Sequence, residues 1–207
     1  SKYKNKFVGN IHDLTTFSFD PVKTFTAIDG GLIVWKNKSQ SKKLTEMRLM
    51  GIEKVRGITS NVKRLGYRYH LANLHAAIGI EQIKKIDLIK KNRIKYFNYY
   101  NKHLDGVKDL IKPEISPLTD VIPFHYCIRV KKRKAFMRFL LKNKIQTGIH
   151  WIPLHLFKYF EKFSKYSDLS VTQKIGREIV TLPLYSKMQI SKLKYITKAI
   201  KKFSLRS

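Results

Sequence analysis

The sequence predicts an α/β protein built in two parts. Strand-type and helix-type segments alternate from Leu14 to Phe203, the pattern of the α/β class. Three prolines, Pro113, Pro117 and Pro123, interrupt that alternation at one place and mark a hinge. We therefore divide the chain into residues 1–105, which close with a long connecting helix, and residues 106–207, a smaller domain. No internal repeat or low-complexity linker is visible.

The opening residues, Ser1 to Lys6, carry neither periodicity. Leu14 to Phe19 is a β-type run that ends at Asp20-Pro21, because proline cannot donate to a following ladder. The chain turns through Val22-Lys23-Thr24 and reaches Gly30-Gly31, where backbone can approach another group closely. Gly31-Leu-Ile-Val-Trp35 reads as a second strand, buried by its unbroken apolar run. Residues 36–50 predict a helix capped by Ser39 or Ser41, with Leu44, Met47, Leu49 and Met50 as its apolar positions. Residues 51–66 hold three glycines and few apolar pairs, and read as an irregular loop. Leu71 to Gly79 is a compact helix, with Ala76-Ala77 admitting another backbone. Glu81 to Leu104 is a long helix with Ile83, Ile86, Ile89 or Lys90, Ile94 and Phe97 in one stripe. Its lysine-rich face is a solvated surface, and Asp105-Gly106 ends it.

The second part opens with a strand over Phe124–Val130, a helix over Lys134–Asn143 and a short strand over Thr147–Ile149. A helix over Val171–Glu178 and a strand over Ile179–Leu184 come next. The last helix, Ser191–Phe203, has Ser191 as its N-cap and Leu193, Ile196, Ile200 and Phe203 as its inner face.

Composition excludes several classes. Hydrophobic content of 43% and aromatic content of 12% suit a globular product rather than disorder. The one cysteine, Cys127, rules out an internal disulfide framework and fits a small core position on an alternating strand. No apolar run approaches the roughly 20 residues of a membrane span and no secretory leader opens the chain. The expectation is a cytoplasmic protein with no membrane partner. The net charge of +29 invites a nucleic-acid reading. Against it, the lysines are spread along the whole chain. Lys, Ile, Asn, Phe and Tyr, all abundant, are also the residues of A/T-rich codons. No zinc-ligand spacing, ribonucleoprotein signature or basic-zipper register appears, so no specific nucleic-acid partner is expected.

Lys23 stands apart from the other basic residues. It lies between two apolar strands and is flanked by Ser18, Thr24 and Thr26. Partial desolvation there frees the amine as a nucleophile, the setting a Schiff-base lysine needs.

The run Phe17-Ser-Phe-Asp-Pro-Val-Lys23, followed by Gly30-Gly31 and a hydrophobic strand, resembles the cofactor-lysine segment of the DegT/DnrJ/EryC1/StrS family of sugar aminotransferases. Three further segments resemble that family in the same order. They are Gly66-Tyr-Arg-Tyr-His-Leu-Ala-Asn-Leu-His-Ala-Ala-Ile-Gly79, His150-Trp-Ile-Pro-Leu-His155 and Thr181-Leu-Pro-Leu-Tyr185. Tyr3 to Gly9 fits a Tyr-x-x-x-x-Val-Gly run that lies near mid-chain in the family, so the sequence reads as the C-terminal half of a longer enzyme.

The resemblance implies the end of the large domain and the small domain of a fold type I transferase that uses pyridoxal 5'-phosphate. It implies that Lys23 bonds the cofactor and shuttles a proton, and that Ser18 contacts the cofactor phosphate. A serine at a strand end also serves as a local backbone partner. Arg68 replaces the family's usual asparagine, which reaches the partner subunit's cofactor phosphate. It is either a bidentate phosphate donor in the same role or a surface arginine. His70 stands where arginine is common, and its role is open. His150 and His155 are implied to line the sugar-nucleotide pocket, although packing of an aromatic-rich loop explains them as well. Two histidines five apart make no metal site without further ligands, and no metal is expected.

The acid that pairs with the pyridine nitrogen lies upstream in the family, and Asp13 and Asp20 sit too close to Lys23 to replace it. The expected reaction is amino transfer, typically from glutamate, to a keto-sugar attached to a nucleotide. Its setting is surface polysaccharide or related sugar biosynthesis, and the complete enzyme is expected to be a homodimer. The fragment alone is expected to be inactive. A non-catalytic remnant or regulatory homologue of the same fold, and a basic nucleic-acid-binding protein, are the rival readings.

Overall fold

Strands and helices interleave along the chain in a computed structural model that describes residues 1–55, 58–163 and 168–205. The chain forms two units, Ser1–Asp87 with Ser116–Val121, and Leu88–Ile115 with Ile122–Ser207.

In the first unit the opening residues are not featureless. β1 (Lys2–Tyr3) and β2 (Lys6–Phe7) form a tight hairpin, and β1 also pairs with the later Thr119–Asp120 (β8). The turn places Lys4 and Asn5 at φ 47° and 62°, the twist that a two-residue hairpin turn requires. β3 (Leu14–Ser18) and β4 (Gly31–Trp35) pair antiparallel, from Leu14 opposite Trp35 to Ser18 opposite Gly31. β4 is not the buried strand its apolar run predicts: Leu32 is 48% and Ile33 40% exposed. The sheet of β3 and β4 leaves these side chains open to water.

α1 spans Ser39–Arg48, and the side chain of Asn37, rather than Ser39 or Ser41, accepts a first-turn N–H, from Ser39 at 2.9 Å. The expected loop at 51–66 contains an antiparallel hairpin, β5 (Ile52–Val55) with β6 (Ile58–Val62), bulged between Glu53 and Lys54. Its two glycine-bearing ends hid the β-branched pair Ile52 and Val62 that opens it, and residues 56–57 lie outside the described residues. α2 (Asn73–Ile83) runs straight through Gly79, and the helix breaks at Lys84-Lys85 instead. α3 (Ile86–His103) then packs with the second unit from Leu88 onward.

The second unit holds a three-stranded antiparallel sheet in the order β10 (Ile179–Leu182), β9 (Tyr126–Val130), β7 (Leu110–Ile111). Around it come α4 (Arg133–Lys142), the single turn α5 (Lys158–Glu161), α6 (Ser170–Glu178) and α7 (Ile190–Ser204). The expected strand at Thr147–Ile149 reduces to one bridge, Gly148 to Thr181. The last helix takes Gln189 as its N-cap, which places Ser191 inside the first turn.

The buried cluster belongs wholly to this second unit. Tyr96, Phe97, Tyr100 and Leu104 of the α3 region meet Tyr126, Ile128 and Val130 of β9, Phe136 and Leu140 of α4, and Leu193, Ile196 and Ile200 of α7. That packing is why α3 groups with the C-terminal strands and helices, one helix earlier than the division read at 105. Tyr100 is fully buried, stacks obliquely on Tyr126 at 4.7 Å and donates its hydroxyl to Pro183 O at 2.9 Å. Tyr126 donates to Asn101 Oδ1 at 2.7 Å.

Burial above all, with neighbouring phenols adding to it for Tyr100, pushes both phenols above their ordinary value near 10. The folded unit therefore keeps protons that an unfolded chain gives up, so stability is complete below a pH of about 10 and falls as pH rises further. Tyr100→Phe should cost about 1 kcal/mol at neutral pH through the lost hydrogen bond and should flatten the alkaline loss. Urea titrations at neutral pH and near pH 11, followed by circular dichroism, measure both effects. An unchanged alkaline slope counts against this origin.

Candidate active site

The loop joining β3 to β4 is fixed by its own hydrogen bonds. Phe19 N donates to Gly30 O at 2.9 Å, while Phe19 O accepts from Ala27 N at 3.0 Å and from Thr26 Oγ1 at 2.9 Å. Thr26 Oγ1 in turn accepts from Ile28 N at 2.9 Å. Gly30 is required at its position: its φ is +112°, and a Cβ would lie 2.7 Å from Leu71 Cδ1. Phe25 meets Phe19 edge to face at 5.1 Å, and Ala27 is buried. Gly79 of α2 passes beside this floor, where a Cβ would sit 3.5 Å from Ala27 Cβ.

Within the loop Asp20 builds the turn that carries Lys23. Asp20 Oδ1 accepts from Val22 N at 3.0 Å, and Asp20 O accepts from Lys23 N at 3.0 Å. Lys23 is half-buried. Ser18, exposed at the end of β3, accepts a long 3.4 Å hydrogen bond from Asp20 N. That local bond occupies the hydroxyl oxygen and leaves its proton available to another acceptor. Ser18 and Lys23 thus stand at the two ends of one ordered turn.

Arg68 sits on a different element of the same unit, an extended segment strapped to the C-terminal end of α1. Tyr67 N donates to Met47 O at 2.8 Å, Tyr69 N to Arg48 O at 3.0 Å, and Met50 N to Tyr67 O at 3.1 Å. The approach depends on two glycines placed back to back. A Cβ on Gly66 would lie 2.2 Å from Gly51 N, and one on Gly51, at φ +75°, would lie 1.8 Å from Arg64 O.

An ionic network completes the frame. The buried Glu46 accepts from Arg64 Nε at 2.7 Å, and Glu53 takes Lys42 at 2.5 Å and Lys63 at 2.7 Å. Hydrogen bonds from Lys42 and Lys63 hold the Glu53 carboxyl down at about 2. Arg68 itself is exposed, and Tyr67 and Tyr69 stack beside it at 5.3 Å. Sequence reasoning missed Glu46 and Arg64, because eighteen residues of separation hide a pair that only the α1 strap brings together.

In the second unit His150 Nδ1 lies 3.0 Å from Thr181 Oγ1, and its ring stacks on His125 at 4.5 Å. Thr181 also reaches Cys127 Sγ at 3.4 Å, so the cysteine is half-buried beside a hydroxyl rather than lost in an apolar core. His155 sits half-buried in the turn after Pro153, with its Nε2 enclosed. Pro153 packs on α6, where a Cβ at Gly176 would lie 2.4 Å from its ring.

His150 and Thr181 border an open cleft of about 770 Å³ that Lys144, Tyr185, Lys192 and Tyr195 also line. The sequence signal for Thr181 was a hydroxyl in an otherwise apolar strand, Ile-Val-Thr-Leu. Among the described residues no group of three or more His, Cys, Asp or Glu gathers into a metal-binding cluster.

The strand-loop-strand around Lys23 and the two-unit α/β architecture place this chain among the sugar aminotransferases in fold. It superposes on Helicobacter pylori PseC, an aminotransferase involved in the biosynthesis of pseudoaminic acid, with a TM-score of 0.90 at 20% identity, covering 100% of this chain and 57% of that one. The model of the DegT/DnrJ/EryC1/StrS aminotransferase family matches residues 1–201, and the chain belongs to that family.

Among curated relatives, a UDP-4-amino-4,6-dideoxy-N-acetyl-beta-L-altrosamine transaminase of Campylobacter jejuni is 29% identical, covering 95% of this chain and 54% of the relative. GDP-perosamine synthase of Escherichia coli O157:H7 is 27% identical, covering 98% and 55%. The chain thus spans about half the length of the relatives it matches.

The family implies pyridoxal phosphate, and the residues present fit two of its groups: a primary amine for the aldehyde, and a hydroxyl with a free proton for the phosphate. The carboxylates of Asp20 and Asp29 cap Val22 N and Gly30 N, so the loop's own acids serve its backbone.

Because the three atoms nearest a Cβ at Gly66 are all backbone and lie within 2.8 Å, no flexible side chain can yield to it. Gly66→Ala should destabilise the first unit by about 2–4 kcal/mol. It should also release the amides of Met50, Tyr67 and Tyr69 to fast hydrogen exchange. Retained protection at those three amides would refute the strap.

Proposed function

We propose that this chain carries the attachment lysine and the sugar-facing segment of a pyridoxal-phosphate-dependent aminotransferase. In this reading the complete enzyme transfers an amino group, with glutamate as donor, to a keto-sugar linked to a nucleotide, in surface polysaccharide or related sugar biosynthesis. The observation that carries the reading is the half-buried Lys23 on a hydrogen-bonded turn that begins at Ser18. Membership of the family and the names of its curated relatives support it.

Pyridoxal phosphate, when bound, supplies the electron sink that lets the nitrogen-bearing carbon lose its proton. Lys23 Nζ would hold the cofactor at its aldehyde carbon, with loss of water, and, as a free amine once a substrate amine takes its place there, would carry the proton from the nitrogen-bearing carbon. Ser18 Oγ, already accepting from Asp20 N, donates its own proton to the phosphate. Arg68 adds a charge-assisted contact to a phosphate in the other subunit of a homodimer, with the strap to α1 fixing where it emerges. His150, oriented by Thr181 and by stacking on His125, and His155 meet the sugar nucleotide. The acid for the pyridine nitrogen is assigned to polypeptide outside residues 1–207, so these residues alone should show no turnover.

Borohydride reduction of the complete enzyme with cofactor should leave a pyridoxyl group on Lys23, located by peptide mass spectrometry. Label on another lysine with Lys23 clean would sink the assignment. For Arg68, the contact is worth roughly 1.5–3 kcal/mol, so Arg68→Ala should weaken cofactor binding by about one to two orders of magnitude. In mixed dimers the loss should appear at the site holding the unmutated subunit's lysine, opposite the mutated chain. A loss confined to the mutated subunit's own site returns Arg68 to a surface charge.

A further inference from the structure

Charge is divided unequally between the two units. Ser1–Asp87 with Ser116–Val121 holds 16 basic and 8 acidic residues, whereas Leu88–Ile115 with Ile122–Ser207 holds 27 and 6. A/T-rich codons act on both alike and do not account for the difference. In the second unit no acid lies between Asp120 and Glu161, nor anywhere after Glu178.

α4 and α7 come from those two acid-free stretches, and they pack together. Phe203 meets Phe136 and Phe139 at 5.2 and 5.4 Å, and Tyr195 donates its hydroxyl to Asn143 O at 3.1 Å. Their outward stripes carry Lys134, Arg138 and Lys142 on α4, and Lys194, Lys198, Lys201 and Lys202 on α7, all exposed. Among the described residues no ion pair engages any of these seven; three of the unit's six acids, Asp105, Glu178 and Asp109, pair with Lys112, Arg129 and Lys131. Leu141, Tyr195 and Leu205 stand among the charges, at 65%, 53% and 89% exposure.

We propose that the α4/α7 face of the second unit docks peripherally on a membrane surface rich in anionic phospholipids. Three features select that partner over a nucleic acid. The face is almost all lysine, a point charge suited to the diffuse field of a leaflet, whereas phosphate-backbone recognition favours the planar fork of arginine. Leucines gain by insertion between headgroups and gain little on a sugar–phosphate chain. The one aromatic on the face, Tyr195, is tied by its hydroxyl to Asn143.

Each lysine close to an anionic leaflet raises partition about fivefold, and the seven charges act together. This departs from the sequence expectation of no membrane partner, which rests on the absence of a spanning apolar run. No helix among the described residues is long and apolar enough to cross a membrane, and surface attachment needs none. The proposal is independent of the aminotransferase reading.

Vesicle flotation tests it with the 207-residue chain, since bound protein rises while aggregates sink. At roughly 0.1 M salt the chain should float with vesicles of phosphatidylcholine containing phosphatidylglycerol and stay behind with phosphatidylcholine alone. The variant Lys194→Glu, Lys198→Glu, Lys201→Glu, Lys202→Glu should lose at least about tenfold in partition. A control of equal charge, Lys6→Glu, Lys38→Glu, Lys43→Glu, Lys85→Glu in the first unit, should lose far less.

Should the α7 variant misfold by circular dichroism, Lys134→Gln with Arg138→Gln and Lys142→Gln tests the same face from α4. No flotation of the parent chain, equal loss in variant and control, or tighter binding to duplex DNA than to anionic vesicles at matched salt overturns the proposal.

Discussion

The peptide groups at Phe19 close the loop that presents Lys23. The amide donates across the hairpin to Gly30, and the carbonyl accepts from both Thr26 and Ala27. A loop spanning residues 19–30 would otherwise be an open hairpin connection with many conformations. These bonds split it into a short turn around Asp20 and a return limb seated on buried Ala27. A nucleophilic amine works only when its position is set before the substrate arrives. Here the setting comes from backbone and from two small polar side chains, Asp20 and Thr26. The lysine itself is left half-buried at the end of the turn they define.

Stability and chemistry are distributed differently along this chain. The second unit owns the apolar cluster, in which Tyr100, Tyr126, Phe136 and Leu193 are essentially inaccessible. Among its described residues, the first unit has one buried apolar residue, Ala27, and one buried acid, Glu46. Its apolar side chains, Leu32 and Ile33 of β4, Leu65 ahead of the strap and Leu74 of α2, remain in contact with water. Exposed apolar side chains in that number leave the first unit without the burial that the second unit has. That agrees with a chain spanning about half the length of its relatives.

Much of this was legible in the residues. Alternation, apolar runs and 3.6-residue stripes located β3, β4, β9, β10, α4 and α7, because each carries a strong local signal. The Lys23 turn was legible through Asp20-Pro21 and Gly30-Gly31, residues whose backbone restrictions act locally. The readings that failed depended on partners distant in sequence. β4 reads as buried because an apolar run reports what a strand is able to bury, not whether a covering layer lies in the same chain. The β5–β6 hairpin was lost behind Gly51 and Gly66, which serve the strap to α1 rather than loop flexibility. Gly79 looked like a helix end and is a packing contact with Ala27. The Glu46–Arg64 pair and the Thr181–His150 contact join segments with no common pattern.

The first unit shows how geometry is held without a core. Hydrogen bonds and ion pairs are directional, so the Phe19 closure, the Asp20 turn, the Gly51–Gly66 strap and the Glu46–Arg64 pair fix positions that apolar contact alone would leave loose. Each contributes only about 1 kcal/mol net, since water offers competing partners. They therefore specify where Ser18, Lys23 and Arg68 stand more than they stabilise the unit. Covering the exposed apolar faces adds the missing free energy. It also withdraws water from the same hydrogen bonds, which strengthens them in the lower dielectric. A unit ordered by polar contacts gains rigidity wherever burial is added to them, because directional bonds have already set the positions that burial then holds.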